Sequence, residues 1–305
     1  MRPFALALAV FTSAWYPMKD SVTNRSVDAA GRQPPPLPTV SVGTEHGCGL
    51  SAAGRAYCWG SNRLGQLGDD RIESVAANVS SAIAVATAES FTAISAGANH
   101  TCALTRTGEA YCWGLNLTGE LAQALVANEC GGFPCSRRPV RVESSVRFDT
   151  VSAGFGHTCA LSHGRALCWG RNDRGQLGTA RADDSCDGVA CNVSPLSVAG
   201  VVGFTSISAG GDHTCGMANG TAYCWGSNQY GQLGVSRSVS SSSRPLPVPS
   251  RERLIAIEAK GIQTCARTET GLETCWGGAT AGSESGVRTN GVRVRTLTPD
   301  SESRL

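Results

Sequence analysis

Apolar residues along this chain fall in short runs bounded by glycine, asparagine, serine and aspartate, and no long apolar stripe at helical spacing appears anywhere. Short runs between turn residues predict short strands. One such pattern recurs five times: VGTEHGCGLSAAGRAYCWGSNRLGQLG from Val42, AGANHTCALTRTGEAYCWGLNLTGELA from Ala96, AGFGHTCALSHGRALCWGRNDRGQLG from Ala153, AGGDHTCGMANGTAYCWGSNQYGQLG from Ala209 and KGIQTCARTETGLETCWGG from Lys260. The copies begin 54, 57, 56 and 51 residues apart. A repeat of this length built from short strands has the spacing of propeller blades, whereas helical repeats need the 3.6-residue periodicity that is missing.

Each copy reads as a hairpin with one cysteine on either strand. The pairs are Cys48 and Cys58, Cys102 and Cys112, Cys159 and Cys168, Cys215 and Cys224, and Cys265 and Cys275, separated by ten residues in three copies and nine in two. The nine-residue copies have the two-residue turns His163-Gly164 and Asn219-Gly220, and the ten-residue copies have three-residue loops ending in Gly54, Gly108 and Gly271. The extra residue in the spacing is the extra residue in the loop, so the cysteines face each other in every copy. Counted back from a two-residue turn, Cys159 and Cys168 fall on a non-hydrogen-bonded pair, with Cα atoms about 4.5 Å apart, a separation a disulfide accepts. Five cross-strand disulfides are expected, each worth roughly 2 to 3 kcal/mol in the chain-entropy model. The last four cysteines lie in CGGFPC and CDGVAC, where Cys130 and Cys186 each follow a repeat tryptophan by 17 residues. Equivalent insertions closed by Cys130 to Cys135 and Cys186 to Cys191 are expected. Zinc is the competing use of such pairs, but cysteines placed face to face across strands leave little room for a shared ion. Fourteen cysteines resolved into local pairs imply an oxidising compartment.

The first residues, MRPFALALAVFTSAWY, place one arginine before an apolar stretch that ends in small residues, the form of a secretory signal peptide over 1–14. The alternative for this stretch is a frayed N-terminus. It is too short to span a bilayer. GRQPPPLP then gives a stiff linker over 15–38, the repeats occupy 39–298, and 299–305 form a tail. Charged residues are 16% of the chain and the formal net charge is +2, too little field to steer it to nucleic acid or an anionic membrane.

The string S-A-G-x-x-H-T-x-A-L-x-x-x-G-x-x-Y-x-W-G-x-N-x-x-G-Q-L-G, complete or nearly so from Ser95, Ser152 and Ser208, resembles the repeat of the regulator of chromosome condensation family. The resemblance covers about Val40 to Val294 and implies an all-β propeller of four-stranded blades whose loops bind protein partners. Members of that family include a chromatin-bound exchange factor for a small GTPase, parts of ubiquitin ligases and a secreted bacterial β-lactamase inhibitor. The best-known members have seven blades, while five repeats are counted here, and the fifth lacks the G-Q-L-G element and carries Gln263 in place of histidine. PVRV from Pro139, PLSV from Pro195, PLPV from Pro245 and GVRV from Gly291 read as one further strand per blade. Five blades are expected, with a strand near Val292 closing the ring on the strand near Val40; a sixth, irregular blade and an open ring are the alternatives.

His46, His100, His157 and His213 share one repeat position. A metal ring is the functional reading, but one histidine per blade spreads them around a wide circle, and a buried histidine bonded to its own blade's backbone is the expectation. Trp59, Trp113, Trp169, Trp225 and Trp276 are expected to pack between blades. No G-x-S-x-G, H-E-x-x-H or phosphate-loop string is present, so neither an enzyme nor a cofactor is expected. Asn78 and Asn192 lie in Asn-x-Ser strings that accept glycans only in a eukaryotic secretory pathway. The leading functional expectation is a secreted, monomeric recognition propeller for a protein or glycan. Its candidate binding residues are Phe133, Arg137, Arg138, Asp183, Asp184 and Asp187 in the two bridged insertions, because rigid scaffolds carry recognition on such loops. Guanine-nucleotide exchange on a small GTPase is the alternative, by family analogy alone.

Overall fold

The computed structural model describes residues 35–71, 78–126, 128–181, 183–278 and the backbone of 295–296. The expected signal peptide, most of the linker, the tail and the strand from Gly291 to Val294 lie outside the described residues. The chain forms five small, mainly antiparallel sheets arranged as a five-bladed β-propeller. The first sheet contains β1 (Thr39–Val42), β2 (His46–Leu50), β3 (Ala56–Ser61) and β4 (Asn78–Ala84), and the second contains β5 (Phe91–Ala96), β6 (His100–Thr105), β7 (Ala110–Leu115), β8 (Asn128–Cys130) and β9 (Phe133–Arg141). The third has β10 (Thr150–Ala153), β11 (His157–Ser162), β12 (Arg165–Arg171), β13 (Asp184–Cys186) and β14 (Val189–Ser197). The fourth has β15 (Phe204–Ala209), β16 (His213–Ala218), β17 (Thr221–Ser227) and β18 (Ser241–Pro247), and the fifth has β19 (Leu254–Lys260), β20 (Gln263–Thr268), β21 (Glu273–Gly277) and β22 (Arg295–Thr296).

Each sheet comes from one stretch of chain, and the strand near Val292 that was expected to close the ring on the strand near Val40 lies outside the described residues. Among the described residues β1 pairs only with β2, and β22 pairs in parallel with β21 of its own sheet. The first sheet already holds four strands from residues 39–84.

Turn chemistry sets the central hairpin of each blade. His163 and Gly164, like Asn219 and Gly220, have positive φ at both turn positions, the type I′ form that matches strand twist. Cys159 then stands opposite Cys168 and Cys48 opposite Cys58, and all five hairpin pairs are bonded with Cα atoms 4.0–4.1 Å apart. The outer strand slips register at the tryptophan. Cys168 faces Leu196 but Gly170 faces Asn192, so Pro195 sits in an irregularity where a missing ladder N–H costs nothing. The glycine after the tryptophan is obligatory there: Gly170 has φ +97°, and a Cβ would lie 2.6 Å from Gly156 O.

Successive blades are joined by a repeated clasp. His46 Nε2 lies 2.8 Å from Thr101 Oγ1, and Thr101 Oγ1 and Trp113 Nε1 both donate to the Gln66 carbonyl at 3.1 and 2.9 Å. The first blade supplies the histidine and the carbonyl; the second supplies the threonine and the tryptophan. The same set recurs as His100, Glu120 O, Thr158 and Trp169; as His157, Gln176 O, Thr214 and Trp225; and as His213, Gln232 O, Thr264 and Trp276. Since the threonine gives its one proton to the carbonyl, it accepts from His Nε2–H, which fixes the imidazole tautomer. The expectation that these histidines bond their own blade's backbone is therefore corrected: the partner is a side chain of the next blade. Beneath each clasp lies an apolar core shared by two blades, as where Leu67 and the Cys48–Cys58 bridge meet Phe91, Ile94 and Trp113.

Among the described residues four clasps join five blades, and their residues change at both ends of the series. In the first blade, Gly47 occupies the threonine position and Trp59 is only half-buried. In the fifth, Gln263 and Glu258 replace the histidine and the serine that, as Ser41 and its counterparts, bonds the next blade's backbone.

Two outcomes follow. Replacing Thr158 with Val strands the His100 Nε2–H donor and removes one of the two donors from Glu120 O, so the urea midpoint of the oxidised protein is expected to fall by an amount equivalent to about 1–3 kcal/mol. Burial pushes the pKa of His100, His157 and His213 down to about 3 and that of His46 down to about 4. Stability is then complete above pH 6.5 and lost as the pH falls toward 3, because the unfolded imidazoles take up protons that the folded ones refuse. A His157→Gln variant should show an acid-unfolding slope shallower by one proton; an unchanged slope contradicts the buried neutral state.

Candidate functional site

Past its tryptophan each of the first four blades makes a tight turn anchored by a buried asparagine. Asn62, Asn116, Asn172 and Asn228 accept through Oδ1 from the backbone N–H of Leu67, Leu121, Leu177 and Leu233 at 2.9–3.1 Å, and those leucines are fully buried. The turn forms a ledge against the next blade's outer strand. Built Cβ atoms on Gly65, Gly119 and Gly175 would meet Arg137, Val193 and Ser243 of the following blades at 3.4, 3.2 and 2.6 Å.

In the second and third blades the chain adds a hairpin before the outer strand. β8 and β9 turn at Gly131-Gly132 and carry the Cys130–Cys135 bridge; β13 and β14 turn at Asp187-Gly188 and carry Cys186–Cys191. Asp187 (φ +49°) and Gly188 (φ +74°) give the type I′ form again. Among the described residues no cysteine is free and no cluster of metal-ligating side chains exists.

Between the second blade's ledge and the third blade's hairpin lies a cavity of about 380 Å³. Leu117, Val126, Pro134 and Val193 give it apolar walls, Leu125 stands 89% exposed beside it, and Asp184, Ser185 and Cys186 form one side. Of the six residues singled out from the sequence, only Asp184 lines this groove. Its carboxylate also accepts from Val193 N at 3.0 Å. Arg137 and Arg138 point to the junction of the first two blades, where Arg137 Nη2 donates to Glu129 O at 3.1 Å and Arg138 pairs with Asp70. The Arg138 contact holds the Asp70 carboxyl below its usual range. Asp183 pairs with Arg181, while Phe133 and Asp187 are exposed at the hairpin tips. The sequence reading missed the Leu117–Val126 wall. Its one legible signal was the apolar stretch around Leu125, which has no counterpart in the other repeats. Asn192 is 2% exposed and its side chain donates to Ser194 O, so it offers no glycan site in the folded chain.

Glu120, within the same ledge, replaces the glutamine of the other three turns. Its carboxyl is buried and accepts from Thr118 N and Thr118 Oγ1 at 2.8 and 2.9 Å. Burial pushes its pKa up to about 7, partly offset by those bonds and by Arg171.

Fold and bridges together define a disulfide-reinforced β-propeller. The chain belongs to the regulator of chromosome condensation (RCC1) repeat family, whose repeat models match residues 39–66, 91–120, 148–176 and 204–232, and, in a second form, 53–104, 163–217 and 219–261. It is 29% identical over 250 residues to the ultraviolet-B receptor UVR8 of Arabidopsis thaliana, covering 80% of this chain and 53% of the receptor. It is 32% identical over 203 residues to the probable E3 ubiquitin-protein ligase HERC6 of Homo sapiens, covering 65% of this chain and 19% of the ligase. The structure of human WBSCR16 matches with a TM-score of 0.67 at 21% identity, over 79% of this chain and 61% of that one, a likeness of fold. The chain spans about half the length, or less, of these curated relatives.

The Glu120 environment carries a test. With a folded pKa near 7 against 4.5 in the unfolded chain, the penalty is absent below pH 4.5, grows as the pH rises and is complete above pH 7. Glu120→Gln is therefore expected to raise stability at pH 8 by up to about 3 kcal/mol and to change nothing at pH 4.5, read by urea unfolding at both pH values.

Proposed function

We propose that this protein is an extracytoplasmic recognition propeller, without catalytic activity, that holds a protein partner against the bridged hairpins of its second and third blades. The observation that carries the reading is the pair of disulfide-closed hairpins on neighbouring blades with an open, largely apolar groove beside them. A hairpin already fixed by a disulfide loses little conformational entropy when a partner docks. Seven disulfides support an oxidising location, because cytosolic thiols are kept reduced. Among the described residues no helix is long and apolar enough to cross a membrane.

Related propellers support protein binding in general. One solved relative, Prp20p of Saccharomyces cerevisiae, is described by its binding to Gsp1p and histones, and a mouse relative is named a secretion-regulating guanine nucleotide exchange factor. For this chain, replacing both hairpins with the short connection of the fourth blade, Ser236–Ser240, should leave the far-UV spectrum unchanged and abolish capture of a partner from the native extracellular medium. Undiminished capture would remove the hairpins from the site. Nucleotide release from a panel of small GTPases, unaffected by the oxidised protein, is the accompanying expectation; stimulated release would overturn the recognition reading in favour of exchange.

A further inference from the structure

One wall of the groove is the edge of a sheet. β13 is the last strand in the third sheet and pairs only with β14. Asp184, Ser185 and Cys186 all line the groove although successive side chains of a strand point to opposite faces, so the groove meets the strand along its edge. In this two-residue hairpin Cys186 and Val189 flank the turn as the hydrogen-bonded pair, which makes Ser185 and Ala190 the non-hydrogen-bonded pair. The Ser185 N–H and C=O therefore point away from β14 into the groove, and no group among the described residues bonds them.

The second blade supplies an internal comparison. Glu129 holds the matching position in β8, opposite Pro134, and its outward carbonyl is capped by Arg137 Nη2 at 3.1 Å. Arg137 stands two residues after Cys135; two residues after Cys191 the third blade has Val193, which cannot donate and instead forms an apolar wall. One hairpin edge is closed by its own side chain. The other is left open beside an apolar surface.

The geometry points to strand addition: resting on the recognition reading above, the partner presents an extended segment of about three residues, the length of β13, which pairs with the edge at Ser185. An apolar side chain of that segment lies over Leu117 and Val193. A basic residue meets the Asp184 carboxylate at the start of the edge.

The test pans a displayed library of random octapeptides on the full oxidised chain, with Val193→Arg as the counter-selecting variant. That substitution installs the cap the second blade already tolerates. Ser185→Pro removes the outward amide at an edge position where proline costs the hairpin no bond of its own. Enriched peptides, resynthesised, are expected to lose about tenfold or more in affinity on either variant and on N-methylation of alternate backbone amides, and to slow hydrogen exchange at the Ser185 amide. No enrichment over the counter-selection, or equal binding to wild type and both variants, overturns strand addition. A native partner retained by Val193→Arg but lost on hairpin replacement would overturn strand addition alone and leave the recognition reading standing.

Discussion

The carbonyl of one turn residue in each of the first four blades governs how the propeller is put together. At Gln66, Glu120, Gln176 and Gln232 this oxygen accepts both a threonine hydroxyl and a tryptophan indole from the next blade, and the threonine in turn accepts from a histidine behind it. A buried carbonyl with two lone pairs filled costs little to desolvate and is expensive left alone, and each imidazole is satisfied at Nε2 while its buried Nδ1 has no partner among the described residues. The apolar clusters supply the non-directional attraction between blades, and the clasp fixes their rotation and spacing.

The groove inherits its position from this clasp. The carbonyl belongs to the ledge that packs on the next blade's outer strand, and the ledge of the second blade is the floor and near wall of the groove. Glu120 brings an ionisable carboxyl into that ledge where its counterparts are amides. Arg171, which faces it, is engaged with Asp173 at 2.7 Å and lies 3.8 Å from Asp212, so a charge network from two further blades borders the same corner. The site is thereby set between two rigid blades, with the disulfides Cys130–Cys135 and Cys186–Cys191 holding the hairpins that rise beside it.

The hairpin geometry was readable in advance because it is local. Whether Cys159 faces Cys168 depends on how many residues form the turn, and Asn219-Gly220 or His163-Gly164 declare that number directly. The clasp was readable only as a repeated position. His100 and Thr158 are 58 residues apart, and nothing in the spacing shows that the histidine reaches forward to the next blade instead of back to its own backbone.

For this protein the sequence by itself determined the repeat, the turn types, the cysteine partners and the places where two blades carry insertions, since each depends on residues within one hairpin. Tertiary structure alone decided which side chains share a groove. It sent Arg137 and Arg138 to one junction and Asp184 to another, brought Leu117 and Val126 opposite β13, and left Ser185 uncapped where Glu129 is capped. The reason is physical: a hairpin's register is set by bonds between near neighbours, whereas a groove between blades is set by how two completed sheets pack.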